Sequence, residues 1–211
     1  MRTTNLYATS LLLAAAALPL GARSARAQDC PTIQALRAYQ PPQATRLFAM
    51  DGSKLADLSS ERRVVVPLEQ VPTVVSNGFV AVEDRRFWQH DGVDLRGVGR
   101  AIAKDIASLS LKEGFSTIPM QLARNVFPEE LPRTDKLRRK MCEIRLAGAI
   151  EESYSKRDIL RMYVNQVYMG DGLYGVEEVA RGYFGKPVSK VTTSEAALLV
   201  GLVKNPEGYN P

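Results

Sequence analysis

From Pro72 to the end of the chain, apolar residues recur at helical spacing, and the breaks between them fall on Gly, Pro and capping residues. That punctuation constrains the fold most, because it calls for a series of short helices around one core and predicts a mainly α chain. Asp94 can cap a helix through about Leu109, and Ser116 or Thr117 can cap one through about Phe127. Pro119 then lies in a first turn, where its missing N–H does least harm. Thr134 opens the next helix, in which Leu137, Met141, Ile144 and Gly148 share one stripe. Thr192-Thr193-Ser194-Glu195 has the Thr-x-x-Glu form of a capping box, and Ser155-Lys156-Arg157-Asp158 is the same pattern with Asp for Glu.

Before Pro72 the pattern differs. Ala44 to Ala49 and Lys54 to Leu58 flank Met50-Asp51-Gly52-Ser53, and with the β-branched run Val64-Val65-Val66 they predict a small hairpin-like β segment. Residues 28 to 43 contain Pro and Gln and read as a linker. Further back stand Arg2, an apolar run from Leu6 to Ala22, and Ala25-Arg26-Ala27. This is the layout of a secretory signal peptide with a small-residue cleavage site, with an uncleaved membrane anchor as the alternative. The expected division is therefore 1–27 signal or anchor, 28–70 linker and β-hairpin segment, and 71–211 a helical domain.

A chain of 211 residues with 45% hydrophobic content can bury one full core. Its formal charge of +5 falls to +2, 25 basic against 23 acidic residues, once the three arginines of the first 27 residues are set aside. So small a net charge gives no argument for nucleic acid as a partner, and any anion site must be a local cluster. Two cysteines, Cys30 and Cys142, are too few for a disulfide framework or a zinc site. The two could pair in an oxidising compartment, but Cys142 falls inside an amphipathic helical pattern, which favours a buried free thiol over a bond to Cys30.

Two constellations carry chemistry. Glu83-Asp84-Arg85-Arg86-Phe87-Trp88-Gln89-His90-Asp91-Gly92 follows the apolar stretch Phe79 to Val82. A carboxylate leaving an apolar helix face suits a general acid or base, whereas the bland alternative is a solvated charged turn. His90, the only histidine, reads as a scaffold residue beside Glu83. In the second constellation Lys136, Lys140 and Glu143 are spaced to share one helix face, and Arg139 lies four residues before Glu143. Such a face can clamp a phosphate or pyrophosphate; the alternative is an ordinary surface with i,i+4 ion pairs. Between the two, Gly114 to Asn125 puts glycine and hydroxyl residues at a helix start, where exposed N–H groups can take an anion or where Ser116 simply caps the helix.

Taken in order, these segments closely resemble the glycosyltransferase domain of family 51, found in class A penicillin-binding proteins and monofunctional peptidoglycan glycosyltransferases. The first motif matches Glu83-Asp84 with Phe87, His90, Gly92 and Asp94. The second matches Gly114 to Gln121 and Leu122 to Asn125, and the third matches Arg139, Lys140 and Glu143. The fourth runs from Ile159 through Tyr163 and Asn165 to Gly170, and the fifth is Gly175-Val176-Glu177 with Tyr183 to Lys186.

The resemblance implies a lysozyme-like fold with a smaller hydrophobic jaw at the membrane. It implies Glu83 and Glu143 as catalytic residues. Ser116, Thr117, Gln121, Arg124, Asn125, Arg139 and Lys140 would bind substrate and pyrophosphate, with Asp84, Phe87 and His90 supporting the site. Lipid II and the growing glycan strand would be the substrates. A divalent cation, Mg²⁺ or Mn²⁺, would sit between Glu143 and the substrate phosphates. The inner-membrane surface and cell-wall synthesis proteins would be partners, at the periplasmic face of the cytoplasmic membrane.

The chain departs from the family pattern at Phe115, Pro119, Met120, Arg124 and Cys142. Ser153-Tyr154-Ser155-Lys156 fits Ser-x-x-Lys, but no Lys-Thr-Gly accompanies it, so it signals no transpeptidase. Two other functions fit the same residues: a lysozyme-like hydrolase, and a scaffold that binds lipid II without polymerising it.

Overall fold

The computed structural model describes residues 30–59, 61–97, 116–132 and 134–209. The signal or anchor expected over 1–27 lies outside them, as does most of the helix expected after Asp94. Seven labelled helices run through the described residues: α1 Ile33–Ala38, α2 Thr73–Glu83, α3 Ile118–Val126, α4 Lys136–Ser153, α5 Lys156–Gln166, α6 Val176–Phe184 and α7 Thr193–Leu202. The expectation of a mainly helical chain holds. No helix among the described residues is long and apolar enough to cross a membrane.

The central element is α3. Ile118, Pro119, Met120, Leu122, Ala123 and Val126 are all buried, and the helix packs against α4 on one side and α5 on the other. At roughly 1.5–3 kcal/mol for each large apolar side chain withdrawn from water, this short segment contributes much of the driving force for the core. Pro119 sits in its first turn, as the sequence predicts. Pro119 and Met120, departures from the family motif, both face the interior.

Beside this core, α2 crosses α7 closely. A Cβ on Gly78 would lie 2.8 Å from Val200 Cγ2, so the crossing requires glycine.

The capping signals are largely met. Thr192 and Glu195 form the full reciprocal box at α7, and Ser155 caps α5 through Asp158 N–H. At α4 the cap is Asp135, one residue after the expected Thr134, because its carboxylate accepts from Arg138 N–H at 2.9 Å.

Two expectations for the N-terminal part need correction. Residues 28–43 are not simply a linker: Thr32 caps α1, Leu36 enters the core, and α1 packs on α4. The hairpin itself is present, β1 Arg46–Phe48 against β2 Lys54–Asp57. The Val64–Val66 run, however, forms no strand. The short β3 Arg62–Arg63 ends before it and pairs in parallel with β4 Leu173–Tyr174. Val66 is held instead by Asn165, whose Oδ1 accepts from Val66 N–H and whose Nδ2 donates to Val66 C=O, both at 2.9 Å. One side-chain amide thus supplies both bonds of a ladder partner.

The cysteines are also corrected. Cys30 and Cys142 are disulfide-bonded with Cα atoms 5.4 Å apart, closing a separation of 112 residues. Helical patterning gave Cys142 a buried face but could not show that α1 would bring Cys30 to the same place. The stripe Leu137, Met141 and Ile144 is exposed, and Cys142, Leu146, Ala147 and Ile150 supply the apolar interior face of α4.

Candidate active site

Glu83 is the last residue of α2, and its side chain is only 7% exposed. Its Oε2 accepts a 2.9 Å hydrogen bond from Gln121 Nε2, and its Oε1 lies 3.3 Å from Lys204 Nζ. That approach is within ion-pair range but has no hydrogen-bond geometry, so Oε1 is a buried acceptor with no donor among the described residues. Gln121 is oriented from behind by Tyr163, whose hydroxyl donates to Gln121 Oε1 at 3.2 Å. Burial, reinforced by the Glu83 charge, pushes the Tyr163 phenol far above its ordinary range, so it stays protonated as a donor.

The turn after Glu83 is a frame on its inner side, where Asp84, Phe87, His90 and Gly92 are buried, while Arg85, Trp88, Gln89 and Asp91 stay exposed. Asp84 accepts from His90 Nε2 at 2.9 Å and from Ile118 N–H, at the start of α3, at 3.0 Å. Phe87 is fully buried, and Lys156 Nζ lies 4.6 Å from its ring centroid while bonding to His90 C=O. Gly92, at φ +77°, presents its carbonyl to Thr117 Oγ1 at 2.6 Å, and a Cβ there would meet the α4 backbone at 2.9 Å. Thr117 is therefore occupied in fixing this turn to the start of α3.

Glu143 is 1% exposed on α4 and is enclosed by cations. Lys140 Nζ lies 2.9 Å from one carboxylate oxygen, with Arg124 Nη1 at 3.4 Å and Arg139 Nε at 3.6 Å from the other. Lys140 also donates to Ser116 Oγ at 2.7 Å, just before α3. Asn125 is half-buried on the last turn of α3, where its backbone carbonyl accepts from Gln166.

Helix α3 brings these halves together. Gln121 reaches Glu83 and Arg124 reaches Glu143, and residues three apart are neighbours on one helix face. The two glutamates therefore flank a single face of α3. One offers a vacant acceptor oxygen and the other gathers three cations, an arrangement suited to taking a proton at one end and neutralising an anion at the other.

A cation between Glu143 and the substrate phosphates would draw few ligands from the chain itself. No group of three or more His, Cys, Asp or Glu able to hold an ion occurs among the described residues, and the Glu143 oxygens already face Lys140, Arg124 and Arg139. A hard cation wants several oxygen ligands, and here substrate phosphates and water would have to supply most of them. The residues present do not make a protein-built metal site.

Sequence reasoning missed Lys204 and the Tyr163 relay to Gln121. Lys204 stands alone just after α7 in sequence, with no pattern to pair it with Glu83; Tyr163 lies in the fourth motif, but its hydroxyl's target depends on how α5 packs against α3.

Comparison with known proteins bears out the family. The transglycosylase profile matches residues 51–211, and the chain belongs to that family, as its motifs imply. Penicillin-binding protein 1A of Aquifex aeolicus (strain VF5) is 40% identical over 184 residues, 87% of this chain and 25% of that protein. Penicillin-binding protein 1A of Neisseria lactamica is 40% identical over 86% of this chain and 22% of its own length. For penicillin-binding protein 1F of Bacillus subtilis (strain 168) the figures are 39%, 80% and 23%. The chain thus spans about a quarter of the length of these curated relatives. A crystal structure of penicillin-binding protein 1A from Haemophilus influenzae aligns over 82% of this chain and 16% of that one, with 22% identity and a TM-score of 0.43.

Proposed function

We propose that this transglycosylase domain polymerises lipid II into glycan strands at the periplasmic face of the cytoplasmic membrane, releasing undecaprenyl pyrophosphate. The observation that carries this reading is the pairing of a buried Glu83 oxygen that accepts no hydrogen bond, with Lys204 3.3 Å away, and a three-cation cluster across one face of α3.

In this scheme Glu83 Oε1 takes the proton of the acceptor sugar's 4-hydroxyl as that oxygen attacks the anomeric carbon of the growing chain. The new C–O bond forms opposite the breaking bond to the diphosphate, which inverts the anomeric centre. Charge developing on the leaving diphosphate is met by Arg124, Arg139 and Lys140, already gathered by Glu143. Fixed donors of this kind cost no reorganisation during the reaction. Gln121, steadied by Tyr163, holds the Glu83 carboxylate so that Oε1 stays presented. No step is routed through a metal.

A hydrolase would need an acid and a water-activating group but no diphosphate clamp. The purified chain, given lipid II, should yield glycan polymer and free undecaprenyl pyrophosphate. Shortening of preformed glycan would instead establish a hydrolase, and binding of lipid II without polymer would establish a scaffold.

A further inference from the structure

The buried residues of α4 are Cys142, Glu143, Leu146, Ala147 and Ile150. Its first two turns, Lys136 to Glu143, therefore put only two residues into the interior, and one of them is the carboxylate itself. The apolar residues of those turns, Leu137 and Met141, are exposed. Yet these turns carry Arg139, Lys140 and Glu143. Their polar contacts to Ser116 and Arg124 are made with groups that must also serve a departing diphosphate.

A separate anchor is Cys142, bonded to Cys30 one residue before Glu143. The segment beyond Cys30 is fastened along the back of the helices. Arg37 donates to Ser153 at the end of α4, Leu36 is buried in the core, and Gln166 at the end of α5 donates to Tyr39 and to Asn125 C=O. Arg63 fixes Pro42 C=O at 2.9 Å. The disulfide thus ties the weakly packed start of α4 to a well-seated strap.

We infer that the Cys30–Cys142 bond is a positioning element for the diphosphate half of the site, holding the start of α4 against α3 so that Arg124, Arg139 and Lys140 engage substrate instead of securing the helix. This rests on the transferase reading for its kinetic consequence but not for its structural one. Cys142 touches no reacting atom and acts only through the seating of α4.

The test compares the oxidised chain, the chain reduced by dithiothreitol, and Cys30→Ala, which keeps Cys142 in place. Dithiothreitol delivers two electrons and two protons to the bond, leaving two thiols and its own cyclic disulfide. On reduction, amides of residues 137–146 should exchange with deuterium on the order of tenfold faster, while those of α7 stay unchanged. The KM for lipid II should rise about fivefold or more with the shape of the pH–rate profile unaltered, and reoxidation should restore both.

Unchanged exchange at 137–146 would overturn the inference, and so would faster exchange spread evenly over every helix, which would make the bond a general stabiliser. Should Cys30→Ala fail to fold, the reduced native chain supplies the same comparison. Should the oxidised chain make no polymer, the transferase reading falls while the exchange result still decides the role of the disulfide.

Discussion

The two carboxylates of the site are held in opposite ways. Glu83 ends a helix whose Val75, Phe79 and Val80 are buried, and the turn behind it is locked by Asp84, His90 and the start of α3 through directional hydrogen bonds. Glu143 stands on a stretch with little apolar footing and is held by Lys140, Arg124 and Arg139, with a disulfide next to it. A proton acceptor needs one oxygen fixed to within a fraction of an ångström. A clamp for a charged, departing group needs several cations already gathered where the charge develops. The base end is built for geometry and the clamp end for charge.

Short of removing Glu83 itself, breaking the charge end should give the largest effect. Glu143→Gln leaves Arg124, Arg139 and Lys140 gathered around a neutral amide, and polymerisation measured with lipid II should fall by about 100-fold or more, roughly 3 kcal/mol of barrier. Little loss would show that the cations need no anionic anchor. At the geometric end, Asp84→Asn disturbs the buried bonds to His90 Nε2 and Ile118 N–H; chemical denaturation should report about 2–3 kcal/mol of lost stability. A change below about 0.5 kcal/mol would mean that the turn is held by Phe87 packing alone.

Tyr163→Phe separates the two ends more finely. Removing one hydroxyl frees the Gln121 amide, so kcat should fall on the order of tenfold while KM barely moves and stability changes by about 1 kcal/mol. A KM effect instead would assign Tyr163 to substrate binding.

The smallest expected effect lies outside both ends. The hydrogen bond and ion pair with Lys186, with Thr192 N–H adding to them, hold the Glu195 carboxyl down at about 2. A depressed carboxyl pKa contributes stability that is full above its unfolded value near 4.5 and is lost as pH falls toward about 2. Glu195→Gln should lose that small increment at neutral pH, converge on the native chain as pH falls toward 2, and so flatten this part of the acid limb in thermal melts recorded from pH 7 to pH 2; an unaltered acid limb would remove Glu195 as a source of it.

What the sequence disclosed follows the same division. The spacing of Lys140 and Glu143, the first-turn position of Pro119, and the Thr192 box are local, and one helix turn suffices to predict them. The Glu83 turn was visible as a dense polar run, but its role as a frame depends on Asp84 meeting a backbone N–H 34 residues away. Lys204, Tyr163 and the Cys30–Cys142 bond act across long separations, where helical periodicity carries no information. The exposed stripe of Leu137 and Met141 shows the same limit. Periodicity shows that one face is apolar but not which face is inside, and here a buried carboxylate and a cystine took the interior.

The central claim is that Glu83 does chemistry and not binding. It is tested most directly by measuring lipid II affinity and glycan synthesis side by side in Glu83→Gln. The mutant should bind lipid II within about threefold of the native chain and make no detectable polymer, as removal of a general base requires. Polymer formed at the native rate, or synthesis lost only because binding is lost, would contradict the assignment.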